Sequence, residues 1–133
     1  MNEIRIAAAV IINEQGELLL VRKRFTDAFM QAGGKIEPGE SAVEALCREL
    51  SEELRLQIEP EQPEYLGRFR ARAANENDLE VRAELFLIRI GFEAEPCAEL
   101  SEVLWMRPEE AHSVLLAPLT RQYVLDIARE RLR

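Results

Sequence analysis

Gly34 to Leu56 reads GKIEPGESAVEALCRELSEELRL and carries the clearest helix in the chain. Ser41-Ala-Val-Glu44 has the spacing of a capping box, in which the Ser hydroxyl takes the Glu44 amide and the Glu carboxylate reaches back. The helix is expected to run from Ser41 to about Leu54, since Pro60 and Pro63 rule out much extension. At about 100° per residue, Val43, Leu46, Cys47, Leu50 and Leu54 form one apolar stripe. Glu49, Glu52 and Glu53 fall together on a neighbouring face, because residues three and four apart are helical neighbours. Three like charges so placed repel, and each i,i+4 pair costs a few tenths of a kcal/mol. A divalent cation supplies what is missing, since hard Mg2+ or Mn2+ takes carboxylate oxygens and shares its shell with water and substrate phosphates. A merely solvated acidic face is the plainer alternative in a Glu-rich protein.

The rest of the composition bears on that choice. The chain has 133 residues, 47% of them hydrophobic, which suffices for one compact domain and hardly for two. That apolar content excludes a disordered chain. Glu supplies 22 of the 25 acidic residues and Arg 15 of the 17 basic ones, for a net charge of −8. A field of that sign argues against a nucleic-acid polymer as partner. A phosphorylated small molecule would then need a local remedy such as a metal ion. Six of the Glu (Glu37, Glu40, Glu44, Glu49, Glu52 and Glu53) crowd into seventeen residues, so part of the excess charge sits where such a remedy would act. Cys47 and Cys97 are too few for a disulfide scaffold and lack metal-ligand spacing, so both read as reduced structural thiols. No apolar run approaches the ~20 residues of a membrane span. The amino end lacks a basic leader and reads as a strand, which makes the cytoplasm the expected location.

Outward from the helix, Ile4–Ile12 suits a strand buried on both faces over its second half. Asn13-Glu-Gln-Gly16 is a turn, and Leu18–Val21 a second strand expected to pair with the first as a hairpin. A loop then runs from Arg22 to about Ala32, and Gly33, Gly34 and Pro38-Gly39 read as a tight, irregular segment. Beyond the helix, Tyr65–Ala73 is a strand with Arg68, Arg70 and Arg72 on one face. Asn75-Glu-Asn-Asp78 is a hairpin turn, Leu79–Ile90 a long strand, Gly91–Ser101 a loop and Val103–Met106 a short strand. Pro108–Ala111 opens a helical turn. A closing helix over Pro118–Leu132 would bury Tyr123, Val124, Ile127 and Leu132. These elements make one α+β domain over residues 1–133.

Gly34, Glu40, Arg48-Glu49-Leu50, Glu52-Glu53 and Leu56 together fit one long pattern, whose fixed Gly, Glu and Arg positions would coincide by chance on the order of a few times per million start points. The stretch resembles the signature box of the Nudix hydrolases, the MutT-like pyrophosphohydrolases: G-x5-E-x7-R-E-U-x-E-E-x-G-U, with U aliphatic. Strand order, box position, the Trp105 strand and the closing helix extend the resemblance over nearly the whole chain. It implies an α/β/α sandwich with a mixed central sheet. Arg55 stands where the family's second Gly ends the helix in a left-handed turn, and a side chain there costs roughly 1 kcal/mol if positive φ is kept. A different helix exit is therefore expected. Ala32 stands where a Pro usually precedes the double Gly.

The resemblance also implies roles. Glu52 and Glu53 match paired metal ligands, Glu49 a further ligand that in some members acts as base, and Gly34 (or Gly33) a backbone-carbonyl ligand. Arg48 and Glu40 match the pair that braces loop against helix, and Lys35 a basic residue near phosphate. Arg22 resembles a phosphate-contacting Arg. Glu99 and Glu102 are candidates for a late-loop Glu that serves as base or ligand. Catalysis would thus fall to Glu49, Glu53 and Glu99. The Arg68–Arg72 row reads as an exposed strand face, His112 as a non-catalytic lone histidine and Trp105 as core.

The implied activity is Mg2+- or Mn2+-dependent hydrolysis of a nucleoside diphosphate linked to another group. The default substrate is a canonical or damaged (d)NTP, giving (d)NMP and pyrophosphate, by a monomer or homodimer. Tags of other subfamilies are absent. Ala71 stands where ADP-ribose hydrolases have Pro, and nothing near Pro118 matches the Asn that reads an oxidised purine in MutT. The rival readings are a Nudix-like module that binds nucleotides or proteins without turnover, and an interaction protein whose acidic helix is only surface.

Overall fold

The computed structural model describes residues 2–73 and 78–132. Of the turn expected over Asn75-Glu-Asn-Asp78, all but Asp78 lies outside the described residues. Six strands form one mixed sheet: β1 Glu3–Ile12, β2 Leu18–Lys23, β3 Ala32–Lys35, β4 Glu64–Arg72, β5 Glu80–Arg89 and β6 Leu100–Met106. The order is β4-β5-β1-β2-β6, with β3 pairing β1 off this path. β1 and β5 run parallel in continuous register from Glu3↔Glu80 to Ile12↔Arg89, and the remaining pairings are antiparallel.

β1 is central, which explains its run of apolar residues: Ala7 to Ile12 are buried on both faces. Ala8, Val10 and Ile12 pack with Val124, Leu125 and Ala128 from the closing helical segment. Ala7, Ala9 and Ile11 pack with Ala45, Leu46 and Leu50 of α1, Ala42–Leu54. The result is the expected α/β/α sandwich.

Three local expectations change. First, β2 meets β1 only at Ile12↔Leu18; its ladder is with β6, from Leu18↔Met106 to Lys23↔Leu100. The edge of β1 is taken instead by β3, the Ala-Gly-Gly-Lys segment that reads from sequence as irregular. It has no apolar alternation of its own and is a strand because β1 offers it hydrogen bonds. Gly33 permits the approach: it sits at φ +145°, and a Cβ there would lie 2.3 Å from the Ala7 carbonyl oxygen.

Second, the α1 exit does not differ. Arg55 adopts the left-handed conformation at φ 54°, ψ 31°, and its N–H reaches the Leu50 and Ser51 carbonyls. Third, the closing helix opens with a widened turn over Thr120–Val124 before α2, Leu125–Arg131. That extra residue per turn rotates the buried stripe, so Thr120, Val124, Leu125 and Ala128 go fully inside while Tyr123 turns outward against Phe69. The capping box forms as read, with Ser41 accepting from Glu44 and Glu44 from the Ser41 amide. Cys47 and Cys97 are free thiols.

Candidate active site

The box wraps from β3 into α1, and the double glycine lies against the second half of the helix, beside Glu49 and Glu53. Antiparallel pairing sets Gly33 opposite Ala8 and Gly34 opposite Ala7, so the two glycines address opposite faces of the sheet. On the α1 face, a Cβ at Gly34 would fall 2.3 Å from Glu49 Cδ, so the absence of a side chain is what admits that carboxylate. Among the described residues, the Glu53 side chain has its Oε1 buried without a hydrogen-bond partner, and the residue is only 4% exposed. Burial, then the Glu49 charge, push its carboxyl up to about 7; Lys23 and the Gly33 amide pull it down, and Glu99 adds to the rise. Glu53, Glu49, Lys23 and Glu99 therefore share one electrostatic neighbourhood drawn from α1, the end of β2 and the loop before β6.

Arg48 organises the rim. Its Nε donates to Glu40 Oε2 at 2.7 Å and its Nη2 to Glu40 Oε1 at 3.0 Å, a two-pronged grip. Nη2 also reaches the Lys35 carbonyl oxygen at 3.0 Å, while Nη1 reaches Glu49 Oε2 at 2.9 Å and Glu52 Oε1 at 3.0 Å. Glu40, followed by the Glu49 and Glu52 bonds, raises the pKa of the guanidinium above its ordinary value despite some desolvation. Arg48 and the Glu37 amide hold the Glu40 carboxyl below the usual carboxylate range. One side chain thus ties the loop before the helix to two of the helix carboxylates.

Among the described residues, no three His, Cys, Asp or Glu side chains are gathered as a preformed metal cage. Glu52, its side chain half exposed, shares Arg48 Nη1 with Glu49. The carboxylates of Glu49, Glu52 and Glu53 are all hard donors, and among the described residues one buried oxygen, Glu53 Oε1, is uncompensated. A donor set of that chemistry suits a hard divalent cation.

The outlying candidates divide. Glu99 is felt by Glu53, as above, and its carbonyl accepts from the Arg24 amide at 2.8 Å. Glu102 belongs elsewhere: Arg22 Nε donates to it at 2.8 Å, and Arg22 Nη1 to the Thr26 carbonyl. Arg68 bonds the buried Glu84, and Arg70 pairs with Glu80 and Glu3, so that row is a braced sheet face. His112 Nδ1 lies 2.8 Å from the Glu109 carbonyl, and Trp105 Nε1 donates to the Phe92 carbonyl. Sequence reasoning missed Lys23 and the Gly33 amide beside Glu53. Neither carries a local signal; both depend on how β2 and β3 meet the helix.

On the opposite face of the sheet lies a cleft of about 260 Å³, with Ile6, Ala8, Val81 and Leu119 among its walls, Gln31 just before β3 and Lys35 at the end of β3. Larger clefts of about 680 and 690 Å³ lie near Arg121 and near Trp105, away from the box carboxylates, so size does not mark the site.

The model of the NUDIX domain family matches residues 3–126. The chain belongs to this family. Among curated relatives, this NUDIX chain is 42% identical over 59 residues to the 8-oxo-dGTP diphosphatase of Escherichia coli, covering 41% of the chain and 45% of that protein. It is 40% identical over 63 residues to the human 8-oxo-dGDP phosphatase NUDT18, covering 45% of the chain and 20% of that protein. The chain therefore spans less than half the length of these two relatives. The solution structure of the Escherichia coli ORF135 protein superposes with a TM-score of 0.75 at 27% identity, over 98% of this chain and 92% of that one. The NUDIX fold is thus shared along the chain's length, while the sequence likeness to the curated relatives covers less than half of it.

Proposed function

We propose that this NUDIX chain is a divalent-metal-dependent nucleotide pyrophosphohydrolase that converts a (d)NTP into the (d)NMP and pyrophosphate. The observation that carries the reading is Glu53: a buried carboxylate with an unpartnered oxygen, facing further acids. A fold retains such a group when a cation completes it, and the relatives that act on oxidised guanine nucleotides support the nucleotide as substrate class. Glu49, Glu52, Glu53 and the Gly34 carbonyl would hold Mg2+ or Mn2+, which when bound supplies Lewis acidity toward phosphoryl oxygens and a lowered pKa for water.

The chain's own residues do the rest. Arg48 fixes Glu49 and Glu40, so that the donors do not have to be ordered when substrate arrives. Glu49 and Glu99 are the carboxylates available to take a proton from the attacking water, which approaches in line with the leaving group, pyrophosphate for attack at the α phosphorus or the monophosphate for attack at the β phosphorus. Lys35, exposed at the end of β3, and Arg22, across the β2 edge, supply positive charge for the substrate phosphates.

The test is pyrophosphate release from a nucleotide panel with and without Mg2+. Release that depends on the metal, and that falls at least a hundredfold in Glu53→Gln, is expected. Turnover of no pyrophosphate compound would end the enzyme reading. Full activity in both Glu52→Gln and Glu53→Gln would remove the metal assignment.

A further inference from the structure

Among the described residues, three that are not glycine hold a left-handed backbone: Phe25 at φ 63°, Arg55 at φ 54° and Ala98 at φ 54°. Arg55 ends α1, just beyond Glu53. The other two sit in reverse turns that meet each other. Thr26 N–H reaches the Lys23 carbonyl at 3.3 Å and closes a turn with Phe25 in third place. Leu100 N–H reaches the Cys97 carbonyl at 3.1 Å and closes a turn with Ala98 in second place. Positive φ in such turns suits Gly, Asn or Asp, so a Phe and an Ala are held there against their preference. Strain of this kind persists only where the surroundings over-determine it.

Those surroundings belong to the site. Cys97 N–H donates to the Glu53 carbonyl at 3.0 Å, which ties the second turn to the end of α1. Arg24 N–H, from the first turn, donates to the Glu99 carbonyl at 2.8 Å. Leu100 then enters β6, buried and paired with Lys23. Ala98 stands between the two anchors and is itself exposed, so the fold asks of it a backbone conformation and no side-chain contact. Extended or right-handed backbone at Ala98 would rotate the peptide that follows and pull one anchor free. The Glu99 side chain leaves from this clamped stretch, and the Glu53 carboxyl feels its charge.

We infer that Ala98 is a positioning residue: its left-handed backbone, locked between the Glu53 carbonyl and the Arg24 amide, holds the Glu99 carboxylate at the site for hydrolysis. The inference rests on the nucleotide pyrophosphohydrolase reading and adds to it the element that keeps Glu99 in place. Ala98 acts only through Glu99, since a methyl group offers substrate and cation nothing to bind. What counts at this position is therefore the conformation a residue accepts. Gly and Asn accept positive φ, whereas the β-branched Val resists it. Asn and Val differ little in bulk, so the pair separates conformation from size.

The experiment measures kcat and KM with Mg2+, using whichever of dATP, dGTP, dCTP and dTTP the wild type turns over fastest. Ala98→Gly, Ala98→Asn and Ala98→Val are compared, each alone and combined with Glu99→Gln. Amide hydrogen exchange by 15N NMR follows Arg24 and Cys97, with the β1 amides as the check that each variant is folded. Ala98→Val is expected to lower kcat roughly tenfold or more with KM within about twofold, while Ala98→Gly and Ala98→Asn stay within about twofold of the wild type. Exchange at Arg24 and Cys97 should quicken in Ala98→Val alone. In the Glu99→Gln background, Ala98→Val should cost less than about twofold more, because the group it positions is already gone. An equal loss in both backgrounds marks a merely structural turn and overturns the inference, as does wild-type turnover or unchanged exchange in Ala98→Val. Failure of the wider reading looks different: the wild type itself turns over no pyrophosphate compound, and the positioning role falls with the reaction.

Discussion

Gly34 and Glu49 occupy the same space: the position of a Gly34 Cβ lies 2.3 Å from Glu49 Cδ. The neighbouring Gly33 is blocked by backbone instead, at the Ala7 carbonyl and Ala8 Cα. Adjacent glycines therefore do different work. Gly34→Ala displaces the far end of a flexible side chain, so activity should fall at least tenfold while thermal stability changes by less than about 1 kcal/mol. Gly33→Ala must move a strand at φ +145°, so it should lose roughly 2–4 kcal/mol by denaturant unfolding. Equal stability losses in the two variants would contradict this division.

Glu53 makes the metal-free protein sensitive to pH. Burial, followed by the Glu49 charge, raises its carboxyl from 4.5 to about 7. The unfolded chain releases this proton first, so stability is full below about 4.5, declines as pH rises toward 7 and is level above that. The shift sets a scale of about 3 kcal/mol. Thermal melts in chelator should show the decline between pH 5 and 7. Glu53→Gln should remove most of it, and should melt above the wild type at pH 8.

Mg2+ should reverse that order. It should raise the melting temperature of the wild type more at pH 8 than at pH 6, because the carboxylate must be ionised to bind it, and should do little for Glu53→Gln. A melting temperature indifferent to Mg2+ at pH 8 would remove Glu53 from the ligand set.

Arg48→Lys is not conservative here. Arg48 spans Glu40, Glu49, Glu52 and the Lys35 carbonyl at once, which a single ammonium cannot do. Activity should drop ten- to a hundredfold, in kcat more than in KM, since order among the carboxylates is lost and not the substrate contact. A change confined to KM would place Arg48 on the substrate.

Arg55 holds φ 54°, a conformation suited to Gly. Arg55→Gly should stabilise by about 1 kcal/mol, a rise of a few degrees in melting temperature, and leave activity unchanged.

The local parts of the site are legible in the sequence. The capping box, the α1 stripe and the Glu49–Glu52–Glu53 face follow from helical spacing alone, because each relation spans only three or four residues. The family follows from the box with its flanking order. What is not legible depends on partners distant in sequence. Ala32–Lys35 lacks the alternation of a strand and becomes one only beside β1. The closing helix looks regular on paper, and its wider turn moves Tyr123 outward and Thr120 inward.

The sequence by itself thus determined that this protein places three acids on one face of one helix, since residues three and four apart in a helix are neighbours. Only the tertiary structure decided which acid is buried, with the Lys23 and Glu99 charges brought beside Glu53 and with Gln31 turned toward Thr120. The physical reason is that burial and pKa are properties of packed neighbours, and those neighbours come from strands whose pairing no local pattern specifies.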